Sequence, residues 1–192
     1  MSERDYRDRV SAATYLADEV RSPARREYVG GFAYGMAGAT NAHNQIATNI
    51  LIALGGRLRG RPCRPFNSDT KVRIRLPFEQ RFYYPDVTVT CRPNPQGDSF
   101  QDEPAVLVEV VSPETRRIDE GEKLLAYTAI GSLGVYLMVE QHRARVVLVR
   151  RRLEGFAREV FDGLAAVVPL PEIGCELPLA EVYDGIAVAS AG

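Results

Sequence analysis

Cysteine is scarce in this chain: Cys63, Cys91 and Cys175 are the only three, far apart and odd in number. No two of them form a C-x-x-C pair, so neither a zinc site nor a disulfide framework is suggested, and buried thiols are the expectation. Long apolar runs are missing as well; none approaches the roughly 18 residues that a membrane span needs. The opening MSERDYRDRV is charged and lacks the apolar stretch of a secretory signal. A cytoplasmic protein with no membrane partner is therefore expected. Charge of one sign is not in excess, since 24 Lys and Arg face 25 Asp and Glu for a net charge of −1. That balance argues against a protein that coats nucleic acid non-specifically. Repeats and low-complexity blocks are absent. Gly30-Gly31 and Gly55-Gly56 lack the G-x-x-x-x-G-K spacing of a phosphate loop, and no G-x-S-x-G elbow points to acyl transfer.

What is present suits one domain over residues 1–192: 45% hydrophobic and 26% charged residues, enough length to bury a core. Ser11 to Arg21 reads as a short helix capped by Ser11. Paired aromatics around Gly30-Gly31 predict a hairpin. A second helix starts at Asn41 as cap, with Ile46, Ile50, Leu51, Leu54 and Leu58 as its apolar stripe, and ends near Gly60. Strands follow: KVRIRL, then YYPDVTVTC with Val87 and Val89 on an apolar face and Asp86, Thr88 and Thr90 on a polar one. After a loop over 92–104 come the strand PAVLVEVVSP, a helical pattern over 118–130, and the strands GVYLMVE and ARVVLVRR, with another over 156–161. A turn-rich tail leads to a short helix near Leu179. Strands flanked by helices predict an α/β mixed sheet with helices against it. The strand-helix-strand unit from Val106 to Tyr136 predicts a parallel crossover.

Glu109 is the anomaly. It interrupts the valine-rich run Ala105 to Val111, which reads as a strand buried on both faces and ended by Pro113. A carboxylate there needs a partner, because an unpaired buried charge costs on the order of several kcal/mol. Asp86, just after Pro85, lies on the preceding core strand. If the two strands pair, both carboxylates point into one site and call for a neutralising group such as Mg²⁺. A turn role for Asp86 and an arginine partner for Glu109 remain open at this point. In the following helix Asp119, Lys123 and Tyr127 are spaced by four, and Ala126 and Ile130 share their face, so Lys123 is expected to be partly buried. The alternative is an ordinary surface pair between Asp119 and Lys123.

The array YYPDVTV, VLVEVVSPETR and GEKLLAYTAIGSLGVYLMVEQ, with MAGATNAHNQI, DTKVRI and LPLAEVYDGI, resembles the Uma-two family of endonucleases. That family falls within the restriction-endonuclease-like PD-(D/E)XK superfamily, and the resemblance covers nearly the whole chain. It implies a restriction-endonuclease-like mixed sheet flanked by helices. Asp86 matches the aspartate of the Pro-Asp motif and Glu109 the second acid. Val111 stands where the superfamily's lysine normally sits, and Lys123 matches a lysine moved to the next helix. Asp69 and Glu27 match further acids; His43 and Tyr127 fall at family-like positions in supporting roles. One departure is the early hairpin, where members commonly carry an acid and this chain has Gly30 and Phe32.

The resemblance implies Mg²⁺- or Mn²⁺-dependent cleavage of DNA. Asp86, Glu109 and Lys123 would be catalytic; the metal would be held by Asp86, Glu109 and a backbone carbonyl near Val110. Arg57, Arg59, Arg61 and Arg64 would contact backbone phosphates. Cutting both strands of a duplex calls for two active sites, so a homodimer is expected. The alternative is a module that keeps the fold and binds nucleic acid or another partner without chemistry.

Overall fold

Two almost fully buried strands, Val87–Thr90 and Pro104–Val111, organise the molecule. The computed structural model describes residues 9–36, 38–113 and 115–188. Helix α1 (Ala12–Glu19) is capped by Ser11, whose hydroxyl accepts from the Thr14 N–H at 3.0 Å, as expected. Strands β1 (Arg26–Val29) and β2 (Phe32–Gly35) form the expected hairpin. Its turn needs glycine at both central positions, because Gly30 and Gly31 have φ of +59° and +101°. Helix α2 (Asn41–Leu58) is capped by Thr40 rather than by Asn41. Thr40 is still extended and accepts from the His43 N–H at 3.2 Å, whereas Asn41 has already entered the helix.

Then follow β3 (Arg64–Asn67), β4 (Lys71–Arg75), β5 (Gln80–Tyr83), β6 (Val87–Thr90), β7 (Phe100–Gln101) and β8 (Pro104–Val111). A π-helical segment, Ile118–Lys123, runs into α3 (Leu124–Thr128). The chain closes with β9 (Val135–Glu140), β10 (Arg145–Arg152), β11 (Gly155–Asp162), β12 (Val167–Leu170), β13 (Cys175–Pro178) and α4 (Leu179–Val182). One sheet has the order β11-β10-β9-β8-β6-β3 and a second β2-β1-β5-β4-β7, with β12-β13 as a separate hairpin. Strands β8 and β9 are parallel, as the crossover predicts; β6 and β8 are antiparallel with Val87 opposite Val108.

Strand β8 divides its side chains between two cores. Val106, Val108 and Val110 join α2 and the terminal hairpin on one face; Leu107 and Val111 join Tyr127, Tyr136 and Met138 on the other. Glu109 therefore points to the α3 side. The expected polar face of β6 is corrected: Thr88 and Thr90 are as buried as Val87 and Val89, because β6 is covered on both sides. Thr90 donates to the Glu103 carbonyl, while the Thr88 hydroxyl has no partner among the described residues.

Strands β3 and β12 escape the sequence pattern because each contains a proline, tolerated where a strand is at an edge or in a lone hairpin. The expectation of three thiols is also corrected. Cys63 and Cys91 form a disulfide, and only Cys175 is free. The pairing of Arg64 with Thr90 in β3 and β6 brings residues 63 and 91 opposite each other, a juxtaposition that sequence spacing does not reveal.

Candidate active site

Register brings the two acids together. Val87 opposite Val108 sets Asp86 beside Glu109 at the end of β6. The contacts agree: Asp86 Oδ2 accepts the Val110 N–H at 2.7 Å. Asp86 Oδ1 is hydrogen-bonded to His43 Nε2 at 2.9 Å, so the first turn of α2 holds the other oxygen. Val110 thus contributes its N–H to the acid pair.

Lys123 is the centre of the cluster. Its ammonium donates to Glu109 Oε1 at 3.0 Å, and lies 3.2 Å from Glu27 Oε1 and 3.6 Å from Asp119 Oδ1. The Tyr127 hydroxyl donates to the same Glu109 oxygen at 2.7 Å. Glu27, brought in by β1, also accepts the Tyr84 N–H at 3.4 Å, which ties the hairpin to the Pro85-Asp86 corner. Lys123 is only 7% exposed and Asp119 3%, so their contact is a buried one and not the surface pair that was the alternative. The π-helical winding of 118–123 carries both side chains inward; such local widening of a helix is often found at functional sites. Asp119 is the member that the sequence reading left out of the site. Its four-residue spacing from Lys123 was the available signal.

Burial lifts the Glu109 carboxyl well above the usual range, and Asp86, Asp119 and Glu27 push the same way against Lys123. Burial raises Asp119 too. For Lys123 burial acts to lower the pKa, but the charges of Glu109, Glu27 and Asp119 outweigh it and hold the ammonium protonated. His43 is likewise raised: burial opposes, while the bond to Asp86 and its charge prevail. Four carboxyl groups meet one ammonium and one imidazole, so acids outnumber bases, and burial together with mutual repulsion favours the protonated forms of Glu109 and Asp119 unless a further cation enters. Oxygen donors with excess negative charge suit a hard divalent cation. The unpartnered Thr88 hydroxyl faces the same side, two residues along β6 from Asp86. Among the described residues no three acid, His or Cys side chains are already arranged as a ligand set, since Lys123 stands between them.

The remaining expected site residues lie elsewhere. Asp69 sits in the turn before β4, largely exposed, and pairs with Arg25 at 2.6 Å. The arginines expected on phosphates cluster at the far end of α2, about 20 Å along the helix from His43. Arg57 makes a two-point pair with Glu181, and Arg61 donates to the Gly174 carbonyl. Arg59 and Arg64 are exposed and line a shallow hollow with Arg61 and Cys63.

A family model described as "Putative restriction endonuclease" (Uma2) matches residues 12–180. The chain belongs to the Uma2 family. Among relatives of this Uma2 chain, the uncharacterized protein slr1290 of Synechocystis sp. is 29% identical over 180 residues, covering 93% of this chain and 94% of that one. A second Synechocystis sp. protein, the uncharacterized sll1609, is 29% identical over 140 residues, covering 71% and 78%. The crystal structure of a "putative nuclease belonging to DUF820" from Anabaena variabilis matches with a TM-score of 0.68 over 88% of this chain and 97% of that chain. At 18% identity that likeness is one of fold. No helix among the described residues of this Uma2 chain is long and apolar enough to cross a membrane.

Proposed function

We propose that this Uma2 protein is a divalent-metal-dependent nuclease that hydrolyses phosphodiester bonds of DNA. One observation carries the reading: Asp86, just ahead of β6, lies beside Glu109 of β8, and a buried lysine donates to Glu109. Asp86 and Glu109 would hold Mg²⁺ or Mn²⁺, with the Val110 carbonyl a further oxygen. Such a cation would supply Lewis-acid polarisation of a phosphate and a more acidic water. The chain's own groups do the rest. Lys123 places a positive charge where a phosphate oxygen gains negative charge, and orients the attacking water. Tyr127 and the Val110 N–H fix the two acids, His43 fixes the second oxygen of Asp86, and Glu27 and Asp119 hold Lys123 protonated. Phosphate contacts of Arg59 and Arg64 belong to a distant part of the substrate, and cleavage of both strands of a duplex would use a homodimer.

Supercoiled plasmid incubated with the purified protein tests this. Nicking is expected in Mg²⁺ or Mn²⁺, none in EDTA, and at least about 100-fold loss in each of Asp86→Ala, Glu109→Ala and Lys123→Ala. Activity indifferent to EDTA, or undiminished in Glu109→Ala, would sink the mechanism. The competing reading is a binding module without chemistry. It is favoured by the position of Lys123, which already neutralises part of the acid cluster. That reading requires DNA affinity that persists in EDTA and no turnover with any metal.

A further inference from the structure

The hairpin β1-β2 contributes more than Glu27. In its register Tyr34 stands directly opposite Glu27, and Phe32 opposite Val29. Residues opposite each other across antiparallel strands project from the same face, with Cβ atoms about 5 Å apart. Glu27 reaches Lys123 from that face, so Tyr34 and Phe32 project on the side of the sheet that borders the acid cluster. Met36, two residues on, continues the row. Yet these three are not core: Tyr34 is 48% exposed, Phe32 38% and Met36 37%. Strand β2 is the edge of its sheet, and among the described residues no further strand pairs beside it.

We infer that Phe32 and Tyr34 form a stacking platform for the unpaired bases of a single-stranded DNA segment whose backbone enters the Asp86–Glu109–Lys123 site. The inference rests on the nuclease reading and narrows its substrate. Aromatic rings in a row, two residues apart on a strand, bind successive bases through their faces and leave the sequence unread. A duplex with every base stacked offers such rings nothing. Positive charge lies at the same hairpin: the exposed Arg9 guanidinium donates to the Gly30 carbonyl at the turn that leads into Phe32. The row is thus continuous with the acid cluster at one end and with an exposed cation at the other.

The test measures binding of a fluorescent single-stranded oligonucleotide, and of a blunt duplex of the same sequence, by anisotropy, with Ca²⁺ replacing Mg²⁺. Tyr34→Ala is expected to weaken the single strand roughly 5- to 150-fold, the range seen when one base loses its stacking partner. Duplex affinity is expected to stay within about twofold. Phe32→Ala acts in the same direction. Tyr34→Trp is expected to keep the affinity, with its fluorescence quenched when the strand binds. Unchanged affinity in Tyr34→Ala, no quench in Tyr34→Trp, or equal losses for both DNA forms would overturn the proposal. So would a dimer in sedimentation that Tyr34→Ala dissociates with DNA affinity intact, since the row would then cover a second copy. Cleavage of the single-stranded oligonucleotide by the wild type in Mg²⁺ is scored separately. Its absence strikes the nuclease reading, while the anisotropy ratio still decides the platform.

Discussion

Lys123 decides what the acid cluster is. With its ammonium in place, Glu27, Glu109 and Asp119 are all within 4 Å of a positive charge. Remove it and three buried or half-buried carboxylates face one another. Breaking a buried pair by deleting one partner costs about 3–5 kcal/mol, so Lys123→Ala is expected to lose stability on that scale as well as activity. The pH dependence has a definite sign. Acids left without a counter-charge have folded-state pKa values above their unfolded ones, so the folded variant binds more protons and gains stability as pH falls. Urea midpoints of Lys123→Ala should therefore rise between pH 7 and pH 5.5, while those of the wild type move less. An equal pH response in both proteins would show that Lys123 does not neutralise the cluster. The sequence showed Glu109, Asp86 and Lys123, because acids and a lysine among valines and alanines stand out. It offered Asp119 to Lys123 only as a surface pair and did not show that the pair is buried or that Glu27 joins it, because that depends on a π-helical turn and a hairpin register.

At the scale of elements, the corrections come from groups whose role depends on a neighbour in space. Thr40 and Asn41 are both good caps by type. The structure chooses Thr40, whose hydroxyl also accepts from Gln141 Nε2 at the end of β9 at 2.6 Å. Thr40→Ala should cost about 1 kcal/mol, whereas Asn41→Ala should be neutral or stabilise by a few tenths, read as shifts in the urea midpoint. Similar costs would return the cap to Asn41. Asp102, just past β7, supplies a second check. It makes a two-point pair with Arg73 at 2.7 Å for each oxygen and accepts from Asn94 at 3.0 Å. Burial works to raise its pKa, but the Arg73 and Asn94 bonds prevail and hold it below the usual 3.8. A depressed folded value means that this clamp stabilises the fold above pH 3.8 and is lost as pH falls through the folded value. Asp102→Asn should therefore flatten the acid limb of thermal stability, and an unchanged limb would place the acid sensitivity elsewhere. Strands β3 and β12 were hidden from sequence by Pro65 and Pro169, which only their exposed positions permit.

For the whole molecule, the mixed sheet and its parallel β8-β9 crossover were legible because long valine-rich strands and one helical stretch leave few arrangements. The Cys63–Cys91 disulfide was not, since it joins positions 28 apart through the pairing of β3 with β6. It closes a loop that contains Asp86. Chain-entropy arguments give such a loop roughly 3–4 kcal/mol. Reduction should lower the unfolding free energy by that order, and Cys63→Ala should match the reduced protein. A wild type insensitive to reductant would mean that the bond carries none of the stability.

Two carboxylates brought together by β6 and β8 are proposed to hold a divalent cation beside a lysine supplied by the next helix. Anomalous diffraction from crystals equilibrated in Mn²⁺ addresses this most directly. The account predicts a peak bound by Asp86 and Glu109 that vanishes in Glu109→Gln. Full Mn²⁺-dependent cleavage in solution with no peak at these carboxylates, or a peak that survives Glu109→Gln unchanged, would contradict it.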